Sequence, residues 1–288
     1  MKLPAFEYAC PATLAEAVAL LASRDEAKAL AGGQSLVPMM AFRIASPSLL
    51  VDLGKLSGLR RIAIDESGVR LGAMVRWRDI EDDARLDTAH PLVKAAVSHV
   101  AHYQIRNRGT VGGSIAHADP AAEMPGLVVT CDAEIAVVGT AGSRVIRADD
   151  FFIAPLITAL AADEIVTEIR LPAWPAQRYW GFREFSRRRG DFAMAAAAVF
   201  YDVDDTGKAR NAHIGAIGVG DRPVRLTAAE AEVNGKMVDM TVSERAGAAA
   251  SAAVNPQDDI HASGAYRKSL IGTMVERALQ SACALQLA

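Results

Sequence analysis

Apolar positions along the chain repeat with two different periods, and the switches between them outline the elements. Leu14, Ala17, Val18 and Leu21 fall on one helical face. Thr13 and Glu16 fit a capping box, in which each side chain satisfies a free backbone N–H of the first turn. Residues 27–31 read as a short buried strand ended by Gly32-Gly33, and residues 49–53 as another. Residues 61–75 read as a hairpin: Ile62 and Ile64 alternate with charged or small neighbours, Glu66-Ser67-Gly68 turns, and Val69 and Leu71 resume the period of two. Residues 77–84 and 91–102 read as helices, the second with the stripe Leu92, Ala95, Ala96, His99 and Val100. Residues 106–114 are glycine-rich and read as a loop, and 133–138 and 164–171 as strands.

Pro172-Ala173-Trp174-Pro175 is the best domain boundary, since prolines end strand pairing and stiffen a linker. Beyond it, residues 192–203 and 210–219 are expected to pair across Asp204-Asp205-Thr206-Gly207. Helices are expected at 227–234, 243–254 and 265–285, the last with Leu270, Ile271, Met274, Val275, Ala278 and Leu279 on one face. Runs of strands followed by runs of helices indicate an α+β fold rather than a doubly wound sheet.

Composition narrows the function. With 31 basic and 34 acidic residues in 288, the chain lacks the basic excess of a nucleic-acid-binding or anionic-membrane protein. The longest apolar run, Phe192 to Tyr201, lies between Asp191 and Asp202 and is too short for a transmembrane helix. The N-terminus shows no signal-peptide pattern, so a cytoplasmic location is expected. Cys10, Cys131 and Cys283 are too few and too scattered for a disulfide framework, a zinc site or an iron–sulfur cluster.

Two segments differ from ordinary turns. Leu30-Ala31-Gly32-Gly33-Gln34-Ser35-Leu36-Val37-Pro38 and Gly109-Thr110-Val111-Gly112-Gly113-Ser114-Ile115-Ala116-His117-Ala118-Asp119-Pro120 each pair adjacent glycines with a small polar residue. Glycine lets backbone approach a ligand closely, and successive N–H groups can converge on an anion. Two such segments suit the two sides of a pyrophosphate; the competing reading is a pair of tight turns. There is no G-x-G-x-x-G after a strand and no P-loop signature.

The pair A-G-G-Q-S-L (31–36) and T-V-G-G-S-I-A-x-A-D-P-A-A-E (110–123) resembles the FAD-binding medium subunit of molybdenum hydroxylases, the xanthine dehydrogenase and aerobic carbon monoxide dehydrogenase family. Gln104-Ile105-Arg106-Asn107, Arg188-Arg189-Gly190-Asp191-Phe192-Ala193, Ala265-Tyr266-Arg267-Lys268 and Glu276-Arg277-Ala278 extend the likeness over essentially the whole chain.

The resemblance implies an α+β chain of three parts: FAD-binding subdomains of the vanillyl-alcohol-oxidase type at 1–56 and 57–175, and a C-terminal domain with a small antiparallel sheet at 176–288. It implies non-covalent FAD, with Leu30, Ala31, Gly32, Gly33, Gln34, Ser35, Leu36 and Val37 on one side of the pyrophosphate. Gly109, Thr110, Gly112, Gly113 and Ser114 would lie on the other. Ala101, Ile105, Ala116, His117 and Ala122 complete the cofactor set. Glu123 would take the adenosine ribose, Ile165 and Val166 would pack near the isoalloxazine, and Arg183 stands where some relatives place a lysine near the flavin. Two departures concern the adenine end: Ser114 stands where Asn is frequent, and Val100 where some relatives use an aromatic. No catalytic residue and no metal ligand is expected here.

The implied function is electron transfer. A large molybdenum-binding subunit would hold the molybdopterin cofactor and a small subunit the [2Fe-2S] clusters. Electrons would pass to this FAD and on to an external acceptor, in a dimer of heterotrimers. The alternatives are a self-contained flavin oxidase of the same fold and a module that has lost FAD. Among other candidates, His99 and His102 share a predicted helix face but lack further ligands, so structural roles are expected. Asp119 is expected to fix its loop locally. Asp163 with Glu164 and Asp149 with Asp150 read as solvated strand-end charges, and Met39-Met40 as core. The run Arg187-Arg188-Arg189 reads equally as a docking patch or a solvated turn.

Overall fold

The computed structural model describes residues 2–284, so the expected helix end at Leu285 lies outside the described residues. The chain opens with β1 (Glu7–Ala9), α1 (Leu14–Ala22), β2 (Ala27–Leu30), α2 (Leu36–Ala41) and β3 (Leu49–Asp52). The strands form a three-stranded parallel sheet in the order β1-β3-β2. Thr13 and Glu16 make the capping box of α1, which lays Ala17, Val18 and Leu21 on this sheet.

A second sheet follows, built from β4 (Ile62–Asp65), β5 (Gly68–Gly72), β6 (Glu134–Gly139), β7 (Gly142–Arg147) and, after the small hairpin β8 (Phe152–Ala154) and β9 (Ile157–Thr158), β10 (Ile165–Pro172). Its order is β4-β5-β10-β6-β7, antiparallel throughout. Between β5 and β6 run α3 (Trp77–Asp82), α4 (Leu86–Ala89), α5 (Pro91–Val97), α6 (Tyr103–Arg106), α7 (Val111–His117) and α8 (Glu123–Thr130); α9 (Ala148–Phe151) follows β7. All eight residues of α8 are buried. This helix has no polar face to give it a readable period, and Pro125 and Gly126 look like breakers in the sequence. Pro125 sits in the first turn, where its missing N–H costs no intrahelical bond.

The C-terminal part is a four-stranded antiparallel sheet, β11 (Tyr179–Phe185), β12 (Ala195–Val203), β13 (Ala209–Ile217) and β14 (Val224–Arg225). It is covered by α10 (Thr227–Val233), α11 (Met240–Ala253) and α12 (Gly264–Ala284). The expected β12–β13 pairing across residues 204–207 is present. On β12, Ala196, Ala198 and Phe200 enter the core shared with the FAD-binding part, while Ala195, Ala197, Val199 and Tyr201 enter the core under the helices. A strand covered on both faces needs no polar alternation, which accounts for the long apolar run. Among the described residues no helix is long and apolar enough to cross a membrane.

Several expected elements end early. The helix expected at 77–84 stops at Asp82, and that expected at 91–102 stops at Val97. His99 and His102 therefore lie beyond the helix. The His99 ring lies 5.0 Å from that of Phe182, and His102 packs against the backbone at Gly190. The short or edge strands β1 and β7 carry too little alternation to be read beforehand, and β11 directly follows the proline-rich segment.

That segment is packed rather than free. Trp174 meets His90 at a ring distance of 4.4 Å and Phe200 edge-on at 5.3 Å. Arg178 lies over both Phe200 (4.5 Å) and Trp174 (5.0 Å), with Asp202 accepting two hydrogen bonds from it at 2.8 and 3.0 Å. Elsewhere on the seam, the Glu184 side chain is only 2% exposed, with Oε1 3.9 Å from Nδ1 of His99. Its Oε2 has no hydrogen-bond partner among the described residues. Burial, helped by the charge of Glu123, pushes the Glu184 carboxyl up to about 8. Burial likewise pushes Glu123 up to about 7.

Two outcomes follow from this seam. Phe200→Ala empties a site shared by both parts and is expected to cost about 3–5 kcal/mol, read from urea unfolding. Because the folded chain holds the Glu184 proton more tightly than the unfolded chain, its contribution is complete below the ordinary carboxylate value of 4.5 and is lost as pH rises toward about 8. Thermal melts across pH 5–9 should therefore show Glu184→Gln gaining on the unsubstituted chain with rising pH, with the difference levelling off above about pH 8. A constant difference across the range would refute the buried, protonated carboxyl.

Candidate cofactor-binding cleft

The first glycine segment begins where β2 ends. A side chain at Gly32 would place its Cβ 2.2 Å from the carbonyl oxygen of Arg108, so residue 32 is the point where the two segments touch backbone to backbone. Gly33 has φ +73, in the left-handed region, and its missing Cβ also faces Leu30 and Val37 at 3.3 Å. The Gln34 amide donates to the Gly32 carbonyl at 3.0 Å and closes the turn. The Val37 N–H bonds to Gly33 at 3.1 Å as α2 starts, and the Ser35 hydroxyl makes no capping bond to that helix.

The second segment corrects the expected loop at 106–114. Tyr103–Arg106 and Val111–His117 are helical, joined through extended Thr110, whose Oγ1 accepts from the Gly113 N–H at 3.2 Å. Glycine is a poor helix former, and here packing overrides propensity. A Cβ at Gly112 would lie 2.5 Å from that of Ala73, and the Gly112 N–H donates to the Ala73 carbonyl at 2.8 Å. A Cβ at Gly113 would lie 2.8 Å from the capping oxygen of Thr110 and 3.5 Å from Ala31. The Val111 N–H donates to Val75 at 2.9 Å, and Thr110 pairs with Arg76 in an isolated bridge.

Between the segments lies a cleft of ≈ 510 Å³. Leu30, Ala31, Gly32, Gly33, Gln34, Val37 and Thr110 line it, as do Pro38, Asp52, Gly54, Arg60, Met74, Arg76, Asn107 and Arg108, which sequence reasoning did not place at the site. The missed residues come from segments remote in sequence, with no shared spacing to signal them. Only Pro38, at the end of the first glycine segment, and Asn107 fell within a quoted motif.

Other anticipated residues take different places. Gly109 and Gly112 are buried, while Gly113 and Ser114 are half-buried on the first turns of α7. Ala101 has φ +42, and its carbonyl accepts from Arg106 at 2.9 Å; the Ile105 carbonyl accepts from Gly109 at 2.7 Å. Ala116 is exposed and His117 half-buried, with burial lowering the His117 pKa. Ala122 and Glu123 are buried at the start of α8. Ile165 and Val166 are in the hydrophobic cores, Ile165 in the same cluster as the cleft residue Met74. Arg183 is outside the cleft lining: it bonds the Ser281 hydroxyl of α12 at 2.7 Å, while the next residue, Glu184, turns to the opposite side of β11. Asp119 accepts from the Ala121 N–H at 2.9 Å, Asp163 binds Thr140, and Glu164 pairs with Arg144 at 2.7 Å. Asp149, Asp150 and Arg187 to Arg189 are exposed, and Met40 is core. No group of three or more metal-ligating side chains occurs among the described residues.

This architecture is that of known flavoproteins. Residues 4–174 match the model of the FAD-binding domain in molybdopterin dehydrogenase, and residues 180–282 that of the CO dehydrogenase flavoprotein C-terminal domain. The nicotine 6-hydroxylase medium subunit of Paenarthrobacter nicotinovorans is 39% identical over 98% of this chain and 99% of its own length. Among solved structures, a chain of carbon monoxide dehydrogenase from Hydrogenophaga pseudoflava superimposes with a TM-score of 0.95 at 37% identity, covering 99% of both chains. A chain of quinoline 2-oxidoreductase from Pseudomonas putida 86 does so with 0.94 at 37% identity and the same coverage. The two backbone-to-backbone glycine segments and the cleft between them are thus set in an oxidoreductase scaffold, and the chain belongs to the FAD-binding medium subunits of the molybdenum hydroxylase family.

Proposed function

We propose that the cleft between residues 30–38 and 107–110 holds FAD non-covalently, and that the chain relays electrons from partner [2Fe-2S] clusters to an external acceptor. The partners in this reading are a small iron–sulfur subunit and a large molybdenum-binding subunit on which the substrate is oxidised. The observation that carries it is the cleft itself, which Gly32 and Gly33 line on one side and Thr110 on the other, within residues 4–174 that match an FAD-binding domain. Close approach of main chain to a phosphate-bearing ligand requires such positions. The cleft volume lies within the usual range for small-molecule and cofactor sites.

The chain's own residues bind and orient. Residues 30–34 present backbone on one wall and Thr110 on the other, while Leu30, Val37, Pro38 and Met74 supply apolar surface. Glu123, at the start of α8, is suited by chemistry to accept from vicinal hydroxyls of a ribose. When bound, FAD supplies both one- and two-electron redox chemistry, which lets it join single-electron carriers to a two-electron acceptor. No general base or nucleophile is required of this chain. Both faces of the central strand β12 of the C-terminal sheet are covered by protein, and this favours the relay over a self-contained oxidase with a substrate cap on that strand.

Purified full-length chain, or the complex containing it, is expected to carry flavin in stoichiometric amount, read from its visible spectrum and released FAD. Gly33→Asp forces a side chain onto a left-handed backbone. Gly113→Asp crowds the Thr110 cap. Each also sets a carboxylate against the pyrophosphate, and each is expected to abolish flavin retention while circular dichroism shows the fold kept. Normal FAD content in both variants would overturn the phosphate assignment.

A further inference from the structure

The cleft carries more positive charge than its own side chains neutralise. Arg60, Arg76 and Arg108 line it, against the single carboxylate of Asp52. Two of these four are already engaged. Arg60 donates to the Gly54 carbonyl at 3.0 Å, and Asp52 accepts from the Tyr8 hydroxyl at 2.5 Å and from the Gly54 N–H at 2.7 Å. Arg76 and Arg108 are in no ion pair among the described residues. Their neighbours differ: Arg106 is held by Glu81 at 3.0 Å and Arg78 by Asp82 at 2.7 Å.

An exposed arginine alone defines no site, because its side chain is free to wander. Here the two backbones are fixed by the same contacts that build the cleft. Arg76 pairs with Thr110, and the next residue, Trp77, donates its N–H to Gly109 at 3.3 Å. The Arg108 carbonyl fills the space left by the missing side chain of Gly32, and its N–H bonds to Ile105 at 3.0 Å. The two arginines thus leave from main chain abutting the two glycine segments, and both line the same cavity.

We propose that Arg76 and Arg108 form a cationic pair that recognises the diphosphate of a dinucleotide in this cleft, making the site selective for FAD over flavins that lack phosphate. The assignment rests on the cleft being the FAD site. Glycine backbone offers only neutral N–H donors. A guanidinium is always charged at physiological pH and presents a planar fork of donors matched to phosphate oxygens, so charge-assisted bonds form that neutral donors cannot supply. The apolar wall then accommodates the rest of the ligand without discriminating by charge.

The test titrates flavin-free full-length chain with FAD and with riboflavin, which has the same ring system and no phosphate, following flavin fluorescence. Arg76→Gln and Arg108→Gln are each expected to raise the FAD Kd about tenfold, the loss of one charge-assisted contact. The double variant should bind FAD with a weaker dependence on salt, since fewer charges are screened. Riboflavin affinity should stay the same in all three, and Arg108→Lys should fall between the unsubstituted chain and Arg108→Gln, because it keeps charge but loses the fork. Unchanged FAD affinity in the double variant overturns the proposal, as does an equal loss for riboflavin, which would mean a shape role. If the unsubstituted chain takes up no FAD, the FAD reading itself fails; if it binds FAD and the arginine variants match it, only the arginine assignment fails.

Discussion

The arrangement of this protein turns on a contact made possible by a missing atom. Residue 32 must lack a side chain for the Arg108 carbonyl to come where a Cβ would be. That close approach is one of the contacts that join the three-stranded parallel sheet to the helical layer of the second sheet. It brings the β2 exit beside the entry to α7 and leaves a cleft between them. The same economy recurs at Gly112, which sits on Ala73, and at Gly113, which leaves room for the Thr110 cap. Glycine serves here less as a flexible joint than as a minimal thickness of chain, and of Gly32, Gly33, Gly112 and Gly113 only Gly33 takes the left-handed backbone that favours glycine.

The second organising feature is the C-terminal sheet. Its central strand β12 faces the FAD-binding part with one set of small residues and the α10–α12 layer with the other. Alanine on both faces lets layers approach closely, and aromatic groups are concentrated at the seam, where Trp174, Phe200 and His90 meet under Arg178. The proline-bearing connection is consequently part of the packing. The two parts are thus joined through packed side chains rather than through a free linker.

Electrostatics divide along the same lines. Most arginine–carboxylate pairs tie strands and turns together at the surface, where such pairs contribute little stability. The exceptions are informative: two carboxyls, Glu123 and Glu184, are buried near each other, and two arginines of the cleft lack ion-pair partners among the described residues. Burial holds the first pair toward the protonated form. The second leaves net positive charge where the scaffold leaves open volume.

Much of this was legible in the chain. The capping box at Thr13 and Glu16, the hairpin at 62–72, the β12–β13 pairing and the amphipathic α12 are local patterns, and local patterns suffice when one face meets water and the other a core. Of the glycine motifs, the first supplies Leu30 to Gln34, Val37 and Pro38 to the cleft lining, and the second only Thr110. What only the tertiary structure decided is where opposing surfaces cover both sides of an element or gather residues remote in sequence. The buried helix α8 shows no period because it has no wet face. The helix at 111–117 forms despite its glycines because Ala73 and Thr110 hold it. Arg183 and Glu184 turn to opposite sides of β11, a choice set by which residue of the strand faces α12. Arg60, Arg76 and Arg108 converge on one cavity only because backbone contacts far apart in the chain place them there. A sequence records the chemistry of each side chain and its nearest period; the partner across a layer is set by packing, which one strand of text does not contain.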